Sequence, residues 1–137
     1  MRHFILSSHG ILSQGIYNSV KIIMGEQDNV HIITAYVEEG QDIKDLVTQT
    51  LQKIPKEDEI IVCTDVFGGS VNNEWMKYIT HENLHLVTGM NLPLLMNLFM
   101  QNEEDTAAII RQGIQEAKEG MIYCNDLVAA SQEEEEF

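Results

Sequence analysis

Short, continuously apolar runs alternate along this chain with apolar residues at three- and four-residue steps, which predicts an α/β fold. The runs are apolar on both faces, as strands covered on both sides of a parallel sheet are. The length of 137 residues suits one domain with a sizeable core and is too short for two ordinary ones. Right-handed crossovers would then distribute the helices over both faces. The expected architecture is a doubly wound, mainly parallel four-stranded sheet.

Phe4-Ile5-Leu6 opens as a buried strand, and Leu12, Ile16, Val20 and Ile23 then mark one face of a helix that fades at Gly25. Val30 to Tyr36, rich in β-branched residues, is the second strand. Ile43, Leu46, Val47, Thr50, Leu51 and Ile54 form a helical stripe stopped by Pro55, and Ile60 to Cys63 is the third strand. After the turn Gly68-Gly69-Ser70, with Ser70 expected to cap, Val71, Trp75, Tyr78 and Ile79 lie on one side of a helix. Leu84 to Thr88 is the fourth strand. Pro93 fits the first turn of a helix running to Met100 that is apolar nearly all round, and so is expected in the core or at a subunit interface. Its methionines, with Met90, read as core filling. Ala107, Ile110, Ile114 and Ala117 mark a last amphipathic helix ending at Gly120. Met121 to Cys124 is expected as a C-terminal edge strand. The domain is read as residues 1–130, followed by an acidic, disordered tail over 131–137.

Eight Lys and Arg against 22 Asp and Glu give a formal charge of −14, which disfavours nucleic acid and anionic lipid and favours partners with basic patches. Cys63 and Cys124 form no C-x-x-C, so neither a disulfide framework nor a zinc knuckle is expected, and a reducing cytoplasm fits. No signal-peptide apolar region opens the chain. Residues 83–102 lack any charged side chain, yet Asn83, His85, Asn91, Asn97 and Gln101, with Gly89 and Pro93, argue against a membrane span.

In doubly wound sheets, ligands bind beyond the carboxyl ends of the strands where strand order reverses. With the first strand central and the second and third beside it, that crevice is bordered by Ser7 to Gly10 and by Thr64 to Ser70. His9 would stand at the rim among small residues, and Asp65 could accept from its Nδ1–H, leaving Nε2 as the nucleophile and offsetting the charge of a phosphorylated ring. A polar loop histidine and a turn aspartate are the blander alternatives. Gly68, Gly69 and Ser70 would let backbone N–H groups approach an anion at a helix N-terminus, although a plain βα turn uses the same residues. No P-loop or dinucleotide-binding glycine motif occurs. A literal H-E-x-x-H, formed by His81, Glu82 and His85, raises a zinc hydrolase as a competing reading. It needs a helix. The sequence here reads instead as a helix end entering a strand, where the two histidines would stand about 13 Å apart.

Ser8 to Gly15 (Ser-His-Gly-Ile-Leu-Ser-Gln-Gly), Asp65 to Ser70 (Asp-Val-Phe-Gly-Gly-Ser) and Thr88 to Leu95 (Thr-Gly-Met-Asn-Leu-Pro-Leu-Leu) resemble the enzyme IIA component of the mannose family of the bacterial phosphoenolpyruvate:sugar phosphotransferase system. The resemblance runs in order from about residue 2 to residue 125. It implies a phosphoryl carrier that accepts from phospho-HPr on His9 and passes the group to a cognate IIB protein or domain, serving the membrane IIC and IID components. Asp65 matches the family's active-site aspartate, and Gly68, Gly69 and Ser70 match its phosphate-proximal turn. No metal or other cofactor is implied. The family also implies a cytoplasmic homodimer in which the C-terminal strand, here residues 121–126, pairs with the partner's sheet. Ser13 and Val71 depart from the alanine and proline common in the family's motifs, and no IIB domain follows, so a free-standing IIA protein is expected. The phosphocarrier subunit of the phosphoenolpyruvate-dependent dihydroxyacetone kinase is the alternative with the same fold and histidine, but it is less similar at residues 65–70. A non-catalytic regulatory module is a further alternative.

Overall fold

The structure is a computed structural model and describes residues 1–81 and 83–135, with side chains up to Gln132 in the last helix. Four parallel strands, β1 (Arg2–His9), β2 (Val30–Ala35), β3 (Glu59–Thr64) and β4 (Leu84–Thr88), form one sheet in the order β2-β1-β3-β4. The first strand is central, as expected, and strand order reverses beside it. The helices are α1 (Leu12–Met24), α2 (Ile43–Gln52), α3 (Ser70–Met76), α4 (Leu92–Met100), α5 (Thr106–Glu119) and α6 (Cys124–Glu135).

Because successive side chains of a strand point to opposite faces, β1 contributes Phe4 and Leu6 to one core and Ile5 to the other. The first core joins them to Ile61, Cys63 and Val87 of the sheet and is covered by α1, α4 and α5. The second joins Ile33, Ala35 and Val62 to Val47 of α2 and to Val71 and Trp75 of α3. Trp75 is fully buried there, and α3, although only seven residues long, is anchored by it. The α/β, doubly wound reading therefore holds with helices on both faces.

The structure bears on three local expectations, the first of which it corrects. The inward face of α1 is Ser13, Ile16, Tyr17, Val20 and Met24, while Leu12 and Ile23 are exposed. A serine can occupy that buried position because its hydroxyl donates to the carbonyl of Ile33 and its N–H donates to Ser8 Oγ, each at 2.8 Å. Of the two surroundings expected for the apolar α4, the chain's own core supplies one. Leu94, Leu95 and Leu98 are buried, and α4 packs between α1 and α5 of its own chain. The side-chain oxygen of Asn91 caps it by accepting from Leu94 N–H at 2.9 Å, with Pro93 in the first turn.

The third concerns the C-terminus of the single chain. Residues 121–123 have no regular structure and Cys124–Glu135 is helical, so the expected strand over 121–124 does not join the sheet of this chain. Strand pairing needs a neighbouring edge, whereas the local run Leu-Val-Ala-Ala-Ser-Gln-Glu is made largely of residues that tolerate or favour helix. The helix also extends through residues 131–135, where an unstructured tail was expected. Residues 136 and 137 lie outside the described residues. Met121, Ile122, Tyr123, Leu127 and Val128 are all exposed.

Candidate functional site at the carboxyl rim of the sheet

Strand register decides which residues meet at the rim. His9 is the last residue of β1, paired with Ala35 of β2, and Gly10 N–H donates to the Ala35 carbonyl at 2.7 Å to close the strand. Gly10 turns the chain away with φ +60, a conformation that glycine adopts without penalty. On the other side Ser7 pairs with Thr64, the last residue of β3, so Asp65 leaves its strand opposite His9. The β1–β3 ladder thus brings together residues 56 positions apart in sequence.

Asp65 Oδ2 lies 2.8 Å from His9 Nδ1 and also accepts the backbone N–H of His9 at 2.8 Å. Its other oxygen accepts from Val66 N–H at 3.1 Å. Burial opposes ionisation of Asp65, but the hydrogen bonds from the backbone and ring of His9 outweigh it and hold the carboxyl below its usual range. An ionised carboxylate only accepts, so Nδ1 carries a proton, and in the neutral ring Nε2 presents its lone pair. The His9 side chain is 40% exposed and that of Asp65 only 10%. The aspartate is therefore a fixed, shielded charge behind a ring whose far nitrogen is open to an incoming group.

The turn beyond Asp65 is shaped around this ring. Gly68 has φ +82, and Asn73 Nδ2 donates to its carbonyl at 3.2 Å. A Cβ on Gly69 would stand 2.9 Å from Val66 Cγ1 and 3.0 Å from His9 Cε1, so only glycine lets the turn approach the imidazole this closely. Ser70 does not act as the helix cap: the cap position is Gly69, and Ser70 is the first residue of α3. Its Oγ faces the site instead, 3.3 Å from His9 Nε2 and 2.6 Å from the hydroxyl of Tyr36. Thr64 Oγ1 donates to the buried Asn72 side chain at 2.7 Å, tying α3 to the end of β3. The two departures from the family motifs, Ser13 and Val71, are both fully buried in the supporting layers and neither reaches the ring.

Tyr36 carries no motif that marks it in the sequence. It follows β2 immediately, and its ring stacks on that of His9 with centroids 5.5 Å apart and an interplanar angle of 29°. Applying the strand-end rule to β2 as well as to β1 and β3 would have found it.

The helix that the competing metal motif needs does not run through His81 and His85. The helix α3 ends at Met76, His81 sits in a turn stacked on Tyr78, and His85 is in β4 with Nε2 3.9 Å from Glu59. Glu82 lies outside the described residues. Among the described residues no group of His, Cys, Asp or Glu side chains is arranged to hold a metal ion, and no helix is long and apolar enough to cross a membrane. Burial pushes the Cys63 thiol up to about 12, which makes it a core residue rather than a nucleophile.

Comparison with known proteins points the same way. The family model described as PTS system fructose IIA component matches residues 3–115. The PTS system fructose-specific EIIA component of Bacillus subtilis (strain 168) is 30% identical over 101 residues, covering 72% of this chain and 69% of that protein. The PTS system mannose-specific EIIAB component of Escherichia coli (strain K12) is 21% identical over 121 residues, which are 85% of this chain but 38% of the longer protein. A crystal structure from Klebsiella pneumoniae subsp. pneumoniae MGH 78578, of a candidate phosphoenolpyruvate-dependent sugar phosphotransferase system permease, superposes with a TM-score of 0.90 at 41% identity, covering 93% of each chain. With a matching family model over most of its length and a four-stranded parallel sheet of the same shape, this chain belongs to the mannose/fructose IIA family of the sugar phosphotransferase system.

Proposed function

We propose that this protein is a phosphoryl carrier in sugar uptake, taking a phosphoryl group from phospho-HPr on His9 Nε2 and passing it to a cognate IIB protein or domain. The observation that carries the reading is the His9 and Asp65 pair, with Nδ1 held at 2.8 Å by a shielded carboxylate and Nε2 turned to the open rim. In the transfer, the donor's P–N bond breaks as the Nε2 lone pair forms a new N–P bond, and the donor nitrogen leaves with its electron pair. The His9 ring keeps its Nδ1 proton and becomes positive, which the Asp65 charge offsets. Gly68, Gly69 and Ser70 are assigned to hold the phosphoryl oxygens through backbone N–H groups and the Ser70 hydroxyl, without a metal.

The surroundings suit a protein donor and acceptor. Ile11, Val37, Val66 and Phe67, which follow the three strand ends, are all at least half exposed and would give a partner an apolar landing area. The overall charge of −14 complements a basic partner. A cytoplasmic location, where such partners work, belongs to the same proposal.

Incubation with phosphoenolpyruvate, enzyme I and HPr is expected to add one acid-labile phosphoryl group, found at His9 by mass spectrometry and absent in His9→Ala. Undiminished labelling of His9→Ala would move the acceptor elsewhere, and labelling that never passes to any IIB would leave only the first half of the reading.

We also propose a homodimer in which residues 121–126, the last three of which open α6 in the single chain, unwind there and pair with a second copy's sheet. The support is the exposed Met121, Ile122 and Tyr123 and the unpaired edge of β4, which ends the sheet. Light scattering should show a dimer for the intact chain and a monomer for a version ending at Gly120. A monomeric intact chain would remove the idea.

A further inference from the structure

We infer that Tyr36 is a positioning residue for phosphoryl transfer, acting through Ser70: its hydroxyl holds the Ser70 hydroxyl on His9 Nε2 before transfer and keeps it aimed at the phosphoryl oxygens afterwards. The inference rests on the proposal that Nε2 is the acceptor nitrogen. Three independent observations carry it.

The first is the direction of the hydrogen bonds. In the neutral ring, with Nδ1–H donating to the ionised Asp65, Nε2 can only accept. Ser70 O–H must then be the donor across the 3.3 Å to Nε2, so its oxygen is free to accept, and Tyr36 O–H donates to it at 2.6 Å. The order Tyr36 to Ser70 to His9 to Asp65 is thus a single chain with every proton assigned.

The second is the ring stack. With centroids 5.5 Å apart and planes 29° from parallel, the phenol covers one side of the imidazole and limits its rotation about the Asp65 contact. The third is backbone strain. Tyr36 has φ +65, a left-handed conformation that is rare for a bulky side chain, and Asn29 is the only other non-glycine with positive φ among the described residues. Asparagine tolerates that region; tyrosine does not. Strain at a bulky residue that touches a reactive group persists where the position of that side chain matters.

When the phosphoryl group arrives on Nε2, the Ser70 proton must leave that nitrogen. It turns to a phosphoryl oxygen while Tyr36 keeps its hydrogen bond to the Ser70 oxygen, and no proton changes owner. The hydroxyl pair therefore stands in for the phosphoryl group in the free protein. This gives the site a donor already oriented for charge that appears only on transfer.

The test compares Tyr36→Phe, Ser70→Ala and the double variant, with phospho-HPr as donor and His9→Ala as control. Each single variant is expected to lower kcat for His9 phosphorylation about tenfold, the scale of one hydrogen bond to a charged group, with KM little changed. Phosphohistidine in each should also hydrolyse faster than in the wild type. Since both hydroxyls act as one unit, the double variant should be no more than about twofold slower than the slower single one. Multiplying defects would show that Tyr36 does not act through Ser70 and would overturn the inference, as would Tyr36→Phe with wild-type kcat and phosphohistidine lifetime. Nitrogen-15 spectra of the unphosphorylated protein keep this separate from the proposed function. There the His9 Nε2 resonance should shift in Tyr36→Phe whether or not any donor phosphorylates His9, and an unmoved resonance counts against Tyr36 alone.

Discussion

The two ends of the central strand each carry a histidine bonded to an aspartate, and only one of them is built like a site. At the carboxyl rim, His9 meets Asp65 through Nδ1 and leaves Nε2 facing hydroxyls and solvent. At the amino rim, His3 bonds Asp58 through Nε2 at 2.9 Å and His31 through Nδ1 at 3.1 Å, so both of its nitrogens are taken. The His3 side chain is 9% exposed against 40% for His9. A histidine and a carboxylate in contact therefore say little about chemistry. What separates the two pairs is a second nitrogen that meets only a hydroxyl able to turn aside at an exposed rim, and that depends on which end of a parallel sheet the pair occupies.

Substituting the two aspartates should split activity from stability most widely. Asp65→Asn keeps one hydrogen bond to His9, selects the wrong tautomer for part of the time and cannot offset a positive phosphorylated ring. Phosphoryl transfer is expected to fall about a hundredfold with the melting temperature little changed. Asp58→Asn should do the reverse, lowering the melting temperature while His9 is labelled at the wild-type rate, because it serves only His3 and the N-terminal amine at 3.3 Å. Equal effects of both variants on transfer would erase the distinction between the rims. Assays of labelling rate and thermal unfolding on the same samples settle it.

The carboxyl rim is largely legible in the amino-acid sequence, and the reason is local. Continuous apolar strands fix a parallel sheet, a parallel sheet fixes where its crevice lies, and residues just after the first and third strands follow from that. His9, Asp65 and the Gly68 to Ser70 turn are of this kind. What the sequence hides depends on side-chain direction or on competition between partners. Ser70 has the composition of a cap yet turns to His9, because Gly69 takes the cap position. Tyr36 looks like the last residue of a β-branched run, and nothing local announces its left-handed backbone. The buried face of α1 is centred on Ser13 and Tyr17 rather than Leu12 and Ile23, since a serine satisfied by Ile33 is indistinguishable in sequence from an exposed one. At the C-terminus, strand and helix compete for the same short apolar run, and the outcome turns on whether a second edge is present.

Gly69 offers a sharper, smaller cut at the active rim. A methyl group there meets Val66 Cγ1 at 2.9 Å and His9 Cε1 at 3.0 Å. Val66 is half exposed and can yield, whereas the His9 ring is held by Asp65 on one edge and by Tyr36 on one face. Gly69→Ala should therefore cost about 1 kcal/mol of stability, the low end for overpacking, yet slow the proposed transfer about tenfold by displacing the His9 ring. Gly40, where an added Cβ has open space, is the control for a glycine whose substitution is strained only by its φ of +80. Gly40→Ala should lose stability and leave the transfer rate alone. A Gly69→Ala protein that transfers at the wild-type rate would mean that the turn does not set the ring's position.

The smallest expected effect belongs to the amino rim and tests whether it is purely structural. Burial, aided by His3 and Lys53, holds the His31 imidazole below its ordinary value of 6.5. A base whose folded pKa is depressed binds fewer protons folded than unfolded. Its contribution to stability is thus complete above about pH 6.5 and is lost as pH falls from there toward the folded pKa. Asp58 adds a second loss at lower pH. The hydrogen bond from His3 holds its carboxyl below the usual range against the opposing effect of burial, with the N-terminal amine helping, so its contribution is present above the unfolded carboxylate pKa and lost as pH falls through the folded one. Melting temperature followed from pH 7.5 down to about 5 should decline in the wild type and decline less in His31→Gln, which retains a side-chain N–H to donate to His3 Nδ1 but cannot take the proton. The rate of His9 labelling, with His9→Ala as the blank, should be the same for both proteins at pH 7.5, because His31 stands at the opposite end of the sheet from the transferred group. Identical pH slopes for the two proteins would show that His31 titrates alike in the folded and unfolded chains, and the amino rim would then contribute packing without any electrostatic dependence of its own.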